Sequence, residues 1–165
     1  MAVLVATSAG CGGSSNGGEA QTPRPVSLPG WRAVDDAPGI SQLAPNLSGL
    51  HIASHTDSPA LVRDGDAIRA TSFVFVAPED AAEAQKRGAG DDYERALEEA
   101  FRGNAVGHGP GVGVRLTVPR PTGEGADTVE IYLLRRGRML TVVELESGAG
   151  FGGTVRKKAL GLFSR

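Results

Sequence analysis

Hydrophobic and polar side chains alternate along residues 129–135, where Val129, Ile131 and Leu133 take every second position. Arg136-Gly137 interrupts the pattern and residues 138–145 resume it. A period of two marks a β-strand with a buried face, and a tight turn between two such runs specifies an antiparallel hairpin. The chain is therefore committed to an antiparallel sheet, and its other segments must cover that sheet.

Further strands follow from the same periodicity. Val112, Val114, Leu116 and Val118 alternate with Gly113, Arg115 and Thr117. Asp64-Gly65 is a two-residue hairpin turn, since both residues tolerate positive φ, and it feeds a strand over residues 67–76. Ile68, Val74 and Val76 fall on one side of that strand and Phe73 and Phe75 on the other, which places it centrally. Residues 50–54 read as another strand. Residues 40–47, broken by Pro45, read as one helical turn or a loop. Trp31 follows the Pro29-Gly30 turn and is expected to cover an edge of the core.

Two helices lie between the strand groups. Pro78-Glu79-Asp80 suits a first turn and Lys86-Arg87-Gly88 a last one, with acids and bases matched to the helix dipole. A second helix runs from Asp91-Asp92 to Arg102-Gly103, with Tyr93, Leu97, Ala100 and Phe101 as its buried stripe. Residues 154–163 form a terminal amphipathic helix that buries Val155, Ala159, Leu162 and Phe163. Strands, helices, strands and a helix in that order predict an α+β domain, with an antiparallel sheet and helices packed on one face.

The chain before this domain is different. Residues 1–10 carry no charge and are apolar or small; the run stops at Cys11, the single cysteine of the sequence. Residues 12–21 are mostly Gly, Ser and other polar residues that cannot bury enough surface to offset their ordering entropy. Ser8-Ala9-Gly10-Cys11 resembles the lipobox of bacterial lipoproteins, although Ser8 stands where that family has an aliphatic residue and the first basic residue is Arg24. The resemblance implies that residues 1–10 are the remnant of a signal peptide and that Cys11 receives a diacylglycerol. Residues 11–26 then form a tether to a domain over residues 27–165. Such a tether spans about 50 Å fully extended and roughly 20 Å on average as a coil. The entry at Leu28-Pro29-Gly30-Trp31, the two central helices and the terminal helix after a hairpin resemble the Mog1/PsbP-like group in element order.

Several clusters are candidates for chemistry. Gly148-Ala149-Gly150-Phe151-Gly152-Gly153 has the spacing of a dinucleotide fingerprint between a strand and a helix. The few residues that follow leave no place for a second parallel strand or a ribose-binding acid, so a flexible loop releasing the terminal helix is expected. His51 and His55, with Asp57 and His108, have ligand chemistry. On a strand the two histidines stand about 13 Å apart, too far to share one metal. Arg135, Arg136 and Arg138 at a hairpin tip, and Arg156, Lys157 and Lys158 in the last helix, would suit anionic headgroups or an acidic partner if they met in space. The glycine-rich stretch from Gly103 through Gly107, His108 and Pro110 to Gly113 reads as a mobile connection between a helix and a strand, and it is also the best candidate for the lip of a pocket.

These features lead to an expected function. The sequence has no H-E-x-x-H and no cysteine near a histidine, and the acids of the central helices suit solvated surfaces. A net charge of −2 speaks against nucleic acid as a partner. The expectation is a lipid-anchored, extracytoplasmic binding or interaction module without enzymatic activity, metal or cofactor, whose partners are the membrane and a protein or small-molecule ligand. The alternative is a small extracytoplasmic enzyme with its pocket near residues 107–113.

Overall fold

The computed structural model describes residues 27–107 and 113–164. Its strands are β1 (Arg32–Val34), β2 (Ile52–Asp57), β3 (Ala60–Arg63), β4 (Asp66–Phe75), β5 (Asn104–Gly107), β6 (Val114–Pro119), β7 (Ala126–Arg136) and β8 (Met139–Ser147). Helices α1 (Pro78–Arg87) and α2 (Asp91–Phe101) follow β4, and α3 (Gly153–Phe163) follows β8. A 3-10 turn at Ser41–Leu43 precedes β2. The strands form one antiparallel sheet in the order β1-β3-β4-β8-β7-β6-β5, and β2 pairs with the distal half of β4. This is the α+β class that the order of elements predicts.

Turn chemistry sets the registers. Asp64 and Gly65 both adopt positive φ, 51° and 89°, and join β3 to β4 with Arg63 opposite Asp66. The β7–β8 hairpin closes with Arg136 opposite Met139, so its loop is Gly137-Arg138. The turn thus falls one residue later than Arg136-Gly137. β4 is central, flanked by β8 on one edge and by β3 and β2 on the other.

Two apolar layers share this sheet. Phe73, Phe75, Leu116, Ile131, Leu133 and Val142 face one way, against Ala81 and Ala84 of α1, Tyr93 and Leu97 of α2, and Leu43 of the 3-10 turn. Ile68, Ala70, Tyr132, Val143 and Leu145 face the other way, against Ala159 and Phe163 of α3, with Leu28 and Phe151 alongside. The helices are therefore divided: α1 and α2 cover one face and α3 the opposite one. Helices on a single face would have left the second layer in water; the adjacent valines Val142 and Val143, pointing opposite ways, require cover on both sides.

Helix starts agree with the sequence, and one helix end has a different cause. Pro78 opens α1 with Glu79 and Asp80 in its first turn, and Lys86 and Arg87 close it. At the end of α2 it is Arg102, at φ 49°, that turns left-handed. Gly103 is needed for room: a Cβ there would lie 2.9 Å from the Thr117 carbonyl oxygen. Tyr93 and Leu97 of the expected α2 stripe are buried, Phe101 is half-buried, and Ala100 is exposed.

Phe75 is fully buried between the sheet and α1. Phe75→Ala is expected to lower the unfolding free energy by about 3–5 kcal/mol. Urea denaturation followed by circular dichroism reads this directly, and a loss under 1 kcal/mol (about one methylene's worth) would place Phe75 outside the core.

Candidate functional site

The segment joining β8 to α3 is the one that carries the glycine-rich spacing, and it is pinned at its middle. Phe151 is buried in the α3-side layer, and its ring stacks on Trp31 with centroids 5.9 Å apart. The Arg63 guanidinium lies over the other ring system, 4.7 Å from the Trp31 centroid. Trp31 thus covers an edge of the core. Below the segment lies Glu130 on β7, whose side chain is 1% exposed.

Four donors converge on this carboxylate. Arg156, in the first turns of α3, meets it side-on: Nε donates to Oε2 and Nη2 to Oε1, both at 2.6 Å. The Tyr132 hydroxyl donates to Oε2 at 2.6 Å, and Arg115 Nη2 lies 3.1 Å from Oε1. Arg156 Nη2 also donates to the Phe151 carbonyl at 2.9 Å, which ties the loop to the same cluster. Arg115 reaches Glu130 because β6 and β7 pair in a register that sets these two residues opposite each other. Above the cluster is an open cleft of about 440 Å³, lined by Arg115, Thr128, Glu130, Arg156 and the 149–152 backbone.

The electrostatics follow from this geometry. Burial pushes the Glu130 carboxyl upward, but hydrogen bonds from Arg156 and Tyr132 and the charges of Arg156 and Arg115 outweigh it and hold it below the usual carboxylate range. The bond to Glu130 in turn raises the Arg156 guanidinium. Burial first, and the neighbouring carboxylate second, lift the Tyr132 phenol well above its ordinary value. On the opposite face Glu144 behaves differently. Burial dominates there and raises its carboxyl, even though Arg69 Nη1 donates to it at 2.8 Å; the nearby Glu146 adds to the rise.

The other sequence candidates are dispersed. His51 contacts Asp80 of α1, with Nδ1 3.3 Å from Oδ2; His55 stacks on Phe73 at 6.1 Å; and Asp57 accepts a hydrogen bond from Thr71. Among the described residues no group of three or more His, Cys, Asp or Glu converges as metal ligands. His108, Pro110 and Cys11 lie outside the described residues, while Gly107 ends β5 and the Gly113 amide bonds to the Ile131 carbonyl at 2.8 Å. The two basic groups do not merge. Arg135 donates to Gln85 at 3.1 Å and Arg138 to the Val76 carbonyl at 3.4 Å, on the α1 side, whereas Arg156 turns inward to Glu130. A larger cleft of about 730 Å³ separates α2 from the 3-10 turn. Of its two cations, Arg87 is held by Glu83 and by the Asn46 and Ser48 carbonyls and Arg95 by Asp92 at 2.6 Å, and the buried Tyr93 hydroxyl donates to the Leu43 carbonyl at 2.6 Å.

Glu130, Arg115 and Tyr132 stand out only in three dimensions. The one signal in the sequence is a charge between Val129 and Ile131, on the strand face that the hairpin pattern assigns to water. Fold and site together define an α+β domain with an arginine-flanked, buried carboxylate beneath a shallow cleft. Compared with protein families, curated proteins and solved structures, the chain shows no significant match.

Glu130→Gln keeps the shape and removes the charge, leaving two guanidinium groups around a neutral amide. It is expected to cost about 3 kcal/mol at neutral pH, the lower end for a broken buried pair. Because the folded-state pKa of Glu130 is depressed, its contribution is complete above the unfolded value and is lost as pH falls through the folded one. The gap between wild-type and variant urea curves should therefore narrow below about pH 4. A gap that stays constant on acidification contradicts the assignment.

Proposed function

We propose that this chain is a bacterial lipoprotein: a non-enzymatic binding module held at the extracytoplasmic membrane face by lipid on Cys11. The anchor half of the proposal rests on the sequence. An apolar run ends at the single cysteine, and a Gly/Ser-rich stretch follows it. The folded domain takes up the chain soon afterwards, with Leu28 buried against the α3-side layer. A single acyl chain gives marginal membrane attachment, and the several chains of a mature lipoprotein cysteine would give a stable one.

One observation carries the binding half: the cleft above Glu130 presents donors and no free base. A general base must bring an available lone pair within hydrogen-bond reach of a substrate proton. Here both oxygens of Glu130 are occupied by Arg156, Tyr132 and Arg115, and its lowered pKa disfavours proton uptake near neutrality. Guanidinium groups at a cleft suit recognition better than proton transfer.

The intact mass of the mature protein from its native host tests the anchor. The expected species begins at Cys11 and carries diacylglycerol plus any N-acyl chain, and Cys11→Ala leaves the membrane fraction. A polypeptide beginning at Met1 with a free thiol would overturn the proposal.

A further inference from the structure

The charges around Glu130 do not cancel. One carboxylate faces two guanidinium groups, so the cluster carries a net positive charge at neutral pH. The fork of Arg156 and the Tyr132 hydroxyl already satisfy both carboxylate oxygens, at 2.6 Å each. Arg115 is surplus to that need. Its Nη2 touches Glu130, and its Nε is shut off from solvent without a hydrogen-bond partner among the described residues. Yet the Arg115 side chain is 43% exposed, and with Arg156 and Thr128 it lines the open cleft. A guanidinium has five donors in a rigid plane that matches the two oxygens of a carboxylate or phosphate.

This excess is local. The whole chain has a net charge of −2, so the molecule has no general attraction for anions. Two other arginines near the sheet are matched by acids, Arg69 by Glu144 and Glu146 and Arg120 by Asp127, while Arg135 and Arg138 bond to Gln85 and to the Val76 carbonyl, away from this cleft. At the cleft the balance runs the other way, and α3 brings no acidic residue in its first turn to correct it. Extending the binding-module proposal above, on which this inference rests, we infer that the cleft between Arg115 and Arg156 binds the oxyanion of an acidic ligand, a phosphate or carboxylate group. A volume of about 440 Å³ admits the charged end of a small molecule or a lipid headgroup. Arg156 stays committed to Glu130 and positions the loop, while Arg115, its Nε enclosed, offers the outward donors of its part-exposed guanidinium to the anion.

Trp31 supplies the readout. It is the only tryptophan of the chain and stacks on Phe151, whose carbonyl is held by Arg156 at the cleft wall. The full chain is titrated with inorganic phosphate and with acetate at ionic strength fixed by chloride. In a separate arm it meets phosphatidylglycerol vesicles, with phosphatidylcholine vesicles as control. The expected result is a saturable change in Trp31 fluorescence, accompanied by a rise in melting temperature over chloride alone. Arg115→Gln should weaken the apparent affinity about tenfold or more, the scale of one lost charge-assisted hydrogen bond, and Arg115→Lys should recover only part of it. Glu130 keeps Arg156 in both variants; if Arg115→Gln nevertheless fails to fold, Arg115→Lys and the wild-type melting shift carry the test.

Saturation by phosphate or acetate assigns the site to a free anion, and Arg115-dependent saturation confined to phosphatidylglycerol assigns it to a headgroup. No saturable response in any arm, or a response that Arg115→Gln leaves intact, overturns the inference. The two proposals fail separately. Lipid on Cys11 without an anion response removes this site and keeps the anchored module, while an anion response in a chain with a free Cys11 thiol does the reverse.

Discussion

Strands β4, β7 and β8 carry apolar side chains on both faces, and such a sheet is stable only when each face is covered. Most of the remaining architecture answers that demand. α1 and α2, joined by a short connection, lie over Phe73, Phe75, Ile131 and Leu133. The opposite face, with Tyr132, Val143 and Leu145, is left to the last helix and to the segment around Leu28. A chain that ran its final hairpin without α3 would leave this second layer exposed. The β8–α3 connection is therefore structural before it is anything else, and Phe151 at its centre is buried as part of that layer.

Covering the second face also traps a charge. Glu130 shares its face of β7 with Tyr132, so α3 cannot pack on one without closing over the other. A buried carboxylate costs several kcal/mol unless its oxygens find donors; the Tyr132 hydroxyl on β7 and the Arg156 fork from α3 meet that requirement, and Arg115 on β6 adds a second positive charge. The comparison with Glu144 shows what the number of partners decides. Glu144 has one arginine and an acidic neighbour, Glu146, and burial keeps its carboxyl above the ordinary range. Glu130 has two arginines and a phenol, and burial is outweighed. On acidification the two therefore act oppositely: protonating Glu130 removes stability, whereas protonating Glu144 relieves a desolvation cost.

The elements that the sequence made legible are those with local causes. α1 begins at Pro78 and α2 at Asp91 because first-turn preferences act within a few residues. The Asp64-Gly65 turn needs positive φ at both positions, a property of those two residues. β1, β3 and β5, of three or four residues each, are too short for alternation to rise above chance, and they form because a neighbour offers an edge. The site was still less legible. Glu130 and Arg156 are 26 positions apart, and Arg115 meets Glu130 through a strand register that no turn sequence reports.

By itself the sequence determined the α+β class, the central place of β4, both middle helices, the last hairpin and the terminal helix, since periodicity and capping are written into short stretches of chain. It also set the apolar run, the lone Cys11 and the Gly/Ser stretch on which the anchor proposal rests. Only the tertiary structure decided that the helices divide between two faces, that Arg156 leaves the other basic residues for Glu130, and that Arg115 is left with donors to spare. The physical reason is range. Backbone preferences act over a turn or two, whereas the burial of a charge depends on whatever packing brings above it, and here that is a helix from the far end of the chain.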